Sequence, residues 1–288
     1  MRKARTLPAV LVFLLLASGS TQAGIIRIML NPLDLTVQEA EKATAETAII
    51  NMGDEAAENV RITLTLPDGF EADSIFVGTL EPNKPQNITF DLNLPGKLVP
   101  GVYPAVAATD YTDLNGYPFS SVTPGIIKYK EDVYPLLFAS MDAVSVKDGE
   151  KAVLPLTVRN LDDIPHNLTV RLYLPREIKA NQTRMNLLLD GKSEAKIGFE
   201  ISPFGALPKS NYLTFVSVEY EGSKHYTVYP SKPGVISIGG GDDAPSQGKA
   251  VSNTDKAALG ETSWVKMLPY LLIVVSVVVI YISFRVKE

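Results

Sequence analysis

The stretch that decides the fold reads Val60-Arg61-Ile62-Thr63-Leu64-Thr65-Leu66, with an apolar side chain at every second position. Successive side chains of a β-strand point to opposite faces of a sheet, so this pattern predicts a strand with one buried face. The same alternation recurs over Ile88–Leu94, Leu168–Leu174 and Ile197–Ile201. Between residues 24 and 262 no apolar pattern has helical spacing. We therefore expect this part of the chain to be all-β.

The sequence also repeats itself, at an offset of about 109 residues. Matched residues run along both copies: Val37 with Val146, Glu41-Lys42-Ala43 with Glu150-Lys151-Ala152, Asn51 with Asn160, Leu66-Pro67 with Leu174-Pro175, Phe90 with Phe199, Tyr103 with Tyr212, Tyr111 with Tyr220, and Tyr117 with Tyr226. Turn clusters such as Pro67-Asp68-Gly69 separate the strands. Six or seven short strands in each copy are typical of an immunoglobulin-like fold. The repeat predicts two tandem immunoglobulin-like antiparallel β-sandwiches, at residues 24–130 and 131–238.

The first copy carries a motif that resembles known bacterial and archaeal modules. The motif comprises Ile50, Asn51, Gly53, Asp54, Asn59, Val60 and Leu66 to Phe70, then Pro100-Gly101-Val102-Tyr103, then Tyr111, Asp113 and Asn115-Gly116. It resembles the CARDB (cell-adhesion-related) domain and the related NPCBM-linked module found beside α-galactosidase catalytic domains. The second copy departs from it, because Pro175-Arg176-Glu177-Ile178 lacks the Gly-Phe pair. The resemblance implies an extracytoplasmic spacer, adhesion or binding module without catalysis.

The N-terminus has the pattern of a secretory signal peptide. Three basic residues precede the apolar run Leu7–Ala17, and Thr21-Gln22-Ala23 supplies small residues for cleavage before Gly24. An uncleaved anchor is the alternative, but this run is shorter than the ~20 residues that a spanning helix needs. We predict that residues 1–23 are removed.

The C-terminus has the pattern of a membrane anchor. The run Met267–Phe284 contains no charged residue and at ~1.5 Å per residue is long enough to span a bilayer. Arg285 and Lys287 follow it, which agrees with the positive-inside bias. We predict a transmembrane helix at residues 264–284, a cytosolic tail at 285–288 and a flexible, Gly-rich stalk at 239–263. The expected location is the cell membrane, as a single-pass type I protein with its domains on the extracytoplasmic side.

Composition excludes several classes of function. The chain has no cysteine, which rules out disulfides, zinc–thiolate sites and cysteine nucleophiles. Its net charge is −5, and removal of the basic signal segment makes it −8. Residues 24–288 contain no cluster of Lys and Arg that could bind nucleic acid, so we expect no nucleic-acid partner. No nucleophile elbow, phosphate loop or zinc-protease motif is present, so we expect no cofactor and no enzymatic activity.

Few residues are candidates for chemistry. His166 and His225 are expected to be exposed loop histidines, since neither has an evident metal or catalytic partner. Asp110, Asp113 and Asn115 form a weak candidate calcium site, and the same residues also suit an ordinary hairpin turn. Apart from this candidate, we expect no metal site. Asn87, Asn167 and Asn181 begin Asn-x-Thr tripeptides that become glycosylation sites if the host has the machinery.

Two functional hypotheses follow. In the first, the chain is a non-catalytic, membrane-anchored protein that presents its two modules to an extracytoplasmic protein or glycan. In the second, it is an accessory subunit of a membrane machine such as an export system, with Ser276 and Ser283 on one face of the anchor for close packing. The short linker Lys130–Pro135, with Val133, Tyr134 and Pro135 packed into the junction, predicts a semi-rigid rod whose first sandwich lies farthest from the membrane.

Overall fold

The computed structural model describes residues 24–39, 41–147 and 149–239, which belong to one compact unit. Within those ranges the chain is all-β, with 21 strands and no helix. Two separate hydrophobic cores are present, one built from residues between Leu30 and Ile127 and the other from residues between Leu137 and Ile238. The alternating stretches supply these cores, and Leu64 and Leu172 are both buried. For the described residues, the prediction of an all-β fold with sandwich-like sheets is confirmed.

The first sandwich contains strands β1 to β11. Their bounds are β1 Ile28–Leu30, β2 Asp34–Val37, β3 Lys42–Asn51, β4 Ala57–Thr65, β5 Glu71–Ala72, β6 Ile75–Leu80, β7 Gln86–Asn93, β8 Gly101–Pro104, β9 Val106–Thr112, β10 Pro118–Thr123 and β11 Ile126–Tyr129. One sheet has the order β1-β3-β7-β5. The opposing layer consists of β10-β9-β4-β6 together with β8-β11-β2, where β11 and β2 run parallel.

The second sandwich contains strands β12 to β21. Their bounds are β12 Leu137–Met141, β13 Val144–Val146, β14 Ala152–Asn160, β15 His166–Tyr173, β16 Ile178–Ala180, β17 Arg184–Leu189, β18 Glu194–Pro203, β19 Asn211–Glu221, β20 His225–Val228 and β21 Gly234–Ile238. One sheet has the order β12-β14-β18-β16, and the other joins β13-β21-β19-β20 with β15 and β17. Each strand has a counterpart in the first sandwich, and β8 and β9 together correspond to the long β19.

A buried asparagine organises the same turn in both sandwiches. The side-chain amide of Asn51 donates to the carbonyl oxygens of Glu55 and Leu80, and its Oδ1 accepts from the amide of Gly53 at 3.0 Å. Asn160 donates likewise to Ile164, and its Oδ1 accepts from the amide of Asp162. Buried backbone groups need partners, so these side chains explain why the repeat keeps asparagine at both positions.

The structure corrects one matched pair of the repeat, Tyr117 with Tyr226. Across the hairpins Tyr111 pairs with Phe119, and Tyr220 pairs with Tyr226. Phe119, not Tyr117, is therefore the counterpart of Tyr226. The physical reason is the turn, which is two residues longer in the first sandwich (residues 113–117) than in the second (residues 222–224).

The predicted ends of the chain fall outside this description. The signal segment, the stalk beyond Gly239, the anchor and the tail are not among the described residues. Among the described residues, there is no helix that is long and apolar enough to cross a membrane. The signal peptide and the spanning run Met267–Phe284 stay predictions from the sequence.

Candidate functional site

The two sandwiches join through their sheets. Strand β20 of the second sandwich meets β8 of the first, with His225 paired to Gly101 in parallel register. The amide of His225 donates a hydrogen bond to the carbonyl oxygen of Pro100 at 3.0 Å. The hydroxyl of Thr227 donates to the carbonyl oxygen of Val102 at 2.7 Å. A Cβ at Gly101 would lie 2.0 Å from the carbonyl oxygen of His225, so only glycine permits this approach.

A small apolar cluster fills the space beside this junction. Its members are Val106, Val122, Tyr173, Phe215 and Tyr229. Tyr229 also donates its hydroxyl to the carbonyl oxygen of Gly125 in the first sandwich, at 2.8 Å. Burial raises the pKa of Tyr229 well above its usual value. The cluster belongs to neither core and exists only because the sandwiches are in contact.

A buried carboxylate closes the other side of the interface. Glu177 is 4% exposed. Its carboxylate accepts hydrogen bonds from the amide and the hydroxyl of Ser120 in the first sandwich, at 2.7 and 2.6 Å. The amide of Arg176 donates to the same hydroxyl at 2.8 Å, and the Arg176 guanidinium lies 3.6 Å from Asp110. Charge-assisted hydrogen bonds of this kind are the strong ones, so Glu177 is a main link between the sandwiches.

A polar cluster lies where the two sandwiches form a cleft. Arg171 is the centre, with Nε 3.4 Å from Glu219 and a terminal nitrogen 3.7 Å from Asp68 of the first sandwich. His225 stacks on Tyr103 with ring centroids 4.0 Å apart, and its Nε2 is 3.5 Å from Glu219. Burial, reinforced by the nearby Glu221 carboxylate, raises the pKa of Tyr103 to about 12.

The cleft above this cluster has a volume of about 530 Å³. Its rim is formed by five exposed polar residues from both sandwiches: Asp68, Lys97, Asn167, Arg184 and Glu221. Two rim residues are cationic, two are anionic and one is an amide. Such a rim offers planar donors and acceptors without a net charge, which suits a neutral ligand rich in hydroxyl groups better than an ion.

The structure corrects three expectations about this region. Both histidines are mostly buried: His166 hydrogen-bonds Asp162 at 3.0 Å, and His225 is enclosed by the junction, so neither is an exposed loop histidine. The alternation over Leu168–Leu174 predicts that Arg171 faces solvent, but its side chain is only 18% exposed because the first sandwich covers it. Tyr134 does not pack into the junction, since it is 82% exposed.

The linker is held in another way. Glu131 forms an ion pair with Lys224 in the β19–β20 turn, and its amide donates to the carbonyl oxygen of Tyr129 at 2.7 Å. The sandwiches are therefore joined by a broad interface as well as by Lys130–Pro135, and the rod prediction did not anticipate that interface.

The weak calcium candidates have other partners. Asp113 accepts hydrogen bonds from the amides of Asn115 and Tyr117, at 2.9 and 2.7 Å, and so shapes the β9–β10 turn. Asp110 faces Arg176 across the interface. No group of three acidic or histidine side chains with metal-ligand geometry occurs in the described ranges. The three tripeptide asparagines, Asn87, Asn167 and Asn181, are all exposed, and Asn167 lies on the cleft rim.

Sequence reasoning missed the residues that build the interface, although one signal was present. The second copy departs from the repeat at Arg176 and Glu177, where the first copy has Asp68 and Gly69. Arg176 and Glu177 contact the first sandwich, and Asp68 contacts the second. The charged Glu177, at the position of Gly69 in the first copy, was therefore the sequence signal for a surface that contacts the other sandwich.

Comparison with known proteins covers part of the chain. The family model of the NPCBM-associated, NEW3 domain of alpha-galactosidase matches residues 37–112, roughly a quarter of the chain. The search of curated proteins gave no significant match.

Two similar solved structures illustrate the range of the structural matches. One is the ASH/PapD-like domain of human CEP192, with 13% identity, a TM-score of 0.27, and coverage of 37% of this chain and 87% of that one. Another is the periplasmic chaperone SfaE, with 10% identity, a TM-score of 0.29, and coverage of 74% of this chain and 100% of that one. The strand pairing of the described residues carries the sandwich assignment, and residues 37–112 are similar to the NPCBM-associated, NEW3 domain of alpha-galactosidase.

Proposed function

We propose that the chain is a non-catalytic, membrane-anchored extracytoplasmic protein that binds a glycan in the cleft between its two immunoglobulin-like modules. The observation that carries this proposal is the cleft itself, because residues from both sandwiches form its rim. Ligand sites occur preferentially at such domain junctions. The extracytoplasmic location in this proposal rests on the signal peptide, stalk and anchor that the sequence predicts.

The chemistry of the rim favours a glycan over a charged partner. Sugar hydroxyls both donate and accept, and Asn167, Arg184 and Glu221 provide complementary groups in one concave surface. The matched family takes its name from a domain of alpha-galactosidase, which points to a carbohydrate context. The resemblance to cell-adhesion-related modules also supports a binding role at the cell surface.

The absence of catalysis is part of the proposal. Nucleophilic catalysis needs a nucleophile within hydrogen-bond reach of a base. The buried hydroxyl of Ser217 donates to Glu219 at 2.9 Å and lies 3.2 Å from the hydroxyl of Tyr173. Ser217 is fully buried inside the second sandwich, so its hydroxyl is not presented to a substrate as a nucleophile.

The proposal is tested by incubating the full chain, in detergent, with an immobilised panel of neutral and acidic glycans. We expect binding to neutral glycans, and we expect Asn167→Ala and Lys97→Ala each to weaken it, because these rim residues come from different sandwiches. Matched controls are Asn87→Ala and Lys196→Ala, which change exposed residues of the same types away from the cleft. Failure to bind any glycan, release of sugar from the panel, or equal loss with the control variants would contradict the proposal.

A further inference from the structure

The free edges of the sheets are not equally protected. Among the described residues, four strands of five or more residues lie at a sheet edge: β6, β10, β12 and β17. An exposed, regular edge offers unpaired N–H and C=O groups to another chain, and proteins blunt such edges with bulges, caps or short strands.

Three of these edges are protected. Strand β6 is distorted, with register shifts against β4 and a positive φ of 84° at Gly78. The edge of β10 is capped by Glu177, which accepts the amide of Ser120. The edge of β12 is covered where the amide of Ser231 donates to the carbonyl oxygen of Ala139 at 3.1 Å.

Strand β17 has no such protection. It keeps a regular register with β15 over six consecutive pairs. The amide of Leu172 donates to Thr183 at 2.7 Å, and backbone groups alternate in an antiparallel ladder. Arg184, Asn186 and Leu188 therefore turn their N–H and C=O groups towards the open edge. In the described part of the chain, these groups have no backbone partner.

The side chains of this edge fit a second copy of the same edge. An antiparallel two-fold arrangement centred on Leu187 places Asn186 opposite Leu188 of the second copy and Arg184 opposite Asp190 of the second copy. Opposite charges directly across a ladder are favourable. Arg184 already contacts Asp68 of its own chain at 3.5 Å, so Asp190 of the second copy is its second anionic partner, and the arrangement forms that pair twice. The two Leu188 side chains, each 64% exposed in the single chain, become diagonal neighbours.

We infer that the chain self-associates through β17, which pairs antiparallel with β17 of a second copy. The arrangement extends the sheet of the second sandwich across a two-fold axis. The contact is one strand wide, so it falls below the roughly 1,000 Å² of a strong interface and gives a weak, concentration-dependent dimer. Two chains anchored in one membrane would each expose their clefts beside this shared sheet.

A single engineered thiol tests the pairing, because the full chain has no cysteine. In Leu187→Cys the two Cα atoms across the axis would be about 4.5 Å apart, within disulfide range. We expect mild oxidation of the full chain to give a covalent dimer. Phe76→Cys, on the distorted edge β6, is the exposed control and should stay monomeric. Faster linking of Asn186→Cys than of Leu187→Cys would overturn this register.

A charge exchange tests the same pairing without cysteine. Light scattering of the unmodified full chain should show the mass rising towards a dimer with concentration. Arg184→Asp should abolish that rise, and Arg184→Asp combined with Asp190→Arg should restore it, because the paired charges are exchanged. The proposal would be overturned if the mass of the unmodified chain stayed monomeric at every concentration. It would also be overturned if Arg184→Asp left the rise in mass unchanged. Glycan binding is measured separately, so either proposal can fail alone.

Discussion

Replacing Glu177 with alanine should uncouple the two sandwiches while leaving each of them folded. The side chain is buried, and its carboxylate makes its hydrogen bonds to Ser120 of the other sandwich. Neither hydrophobic core includes it. The loss should therefore appear in the free energy that couples the sandwiches and not in the free energy of unfolding of either one.

The magnitude follows from the two hydrogen bonds. Each is charge-assisted and contributes roughly 1.5–3 kcal/mol. The desolvation of a buried carboxylate offsets part of that gain. We expect a net loss of about 2–4 kcal/mol of coupling, which corresponds to a roughly 30- to 700-fold change in the equilibrium between joined and separated sandwiches.

Scanning calorimetry of the full chain measures this loss. The unmodified sandwiches should unfold in one cooperative transition, and Glu177→Ala should split it into two. The matched control is Glu194→Ala, whose carboxylate pairs at the surface with Arg159 of its own sandwich at 2.7 Å. If Glu177→Ala still unfolded in one unchanged transition, or if the control had an equal effect, Glu177 would not be a specific link between the sandwiches.

Three further predictions concern the cores, the junction and the tyrosines. Leu64→Ala and Leu172→Ala should each lower the free energy of unfolding by about 2–5 kcal/mol, through lost burial and a cavity, whereas Thr63→Ala should cost less than about 0.5 kcal/mol; urea unfolding measures both. Gly101→Ala should weaken coupling in the calorimeter through its clash with His225, whereas Gly116→Ala, with no atom within 4 Å, should cost only the ~1–2 kcal/mol of its positive φ. The raised pKa of Tyr103, about 12 against 10 when unfolded, gives stability that is fully present below pH 10 and lost as pH rises towards 12; Tyr103→Phe should reduce, but not abolish, the loss of stability measured by urea unfolding between pH 10 and pH 12, because Tyr229 and other buried tyrosines also have a raised pKa.

Much of the fold could be predicted because it is encoded locally. Alternation in Val60–Leu66 identifies a half-buried strand, and the offset of the repeat identifies a second copy with the same strand order. Asn51 and Asn160 are recognisable as a repeated motif, and the structure supplies the reason in the turn carbonyls that they bind. These features depend on neighbours in sequence or on strict periodicity.

The candidate site could not be predicted in the same way. Alternation marks Arg171 as outward from its own core, but it cannot reveal that another sandwich covers that face. His225 occupies a hairpin start, which usually means exposure, and it is buried only because β8 pairs with β20. Arg171 and Asp68 are more than 100 positions apart in the sequence, and so are His225 and Tyr103, so no local pattern connects the members of either pair.

The two sandwiches form one unit, and their fixed arrangement creates the cleft. The most direct test is a distance distribution between spin labels at Thr89→Cys in the first sandwich and Lys196→Cys in the second, the only thiols in the full chain. Both positions are exposed and lie away from the interface. We expect one narrow distance peak that Glu177→Ala broadens. A broad distribution in the otherwise unmodified chain would show instead that the sandwiches move independently and hold no fixed cleft.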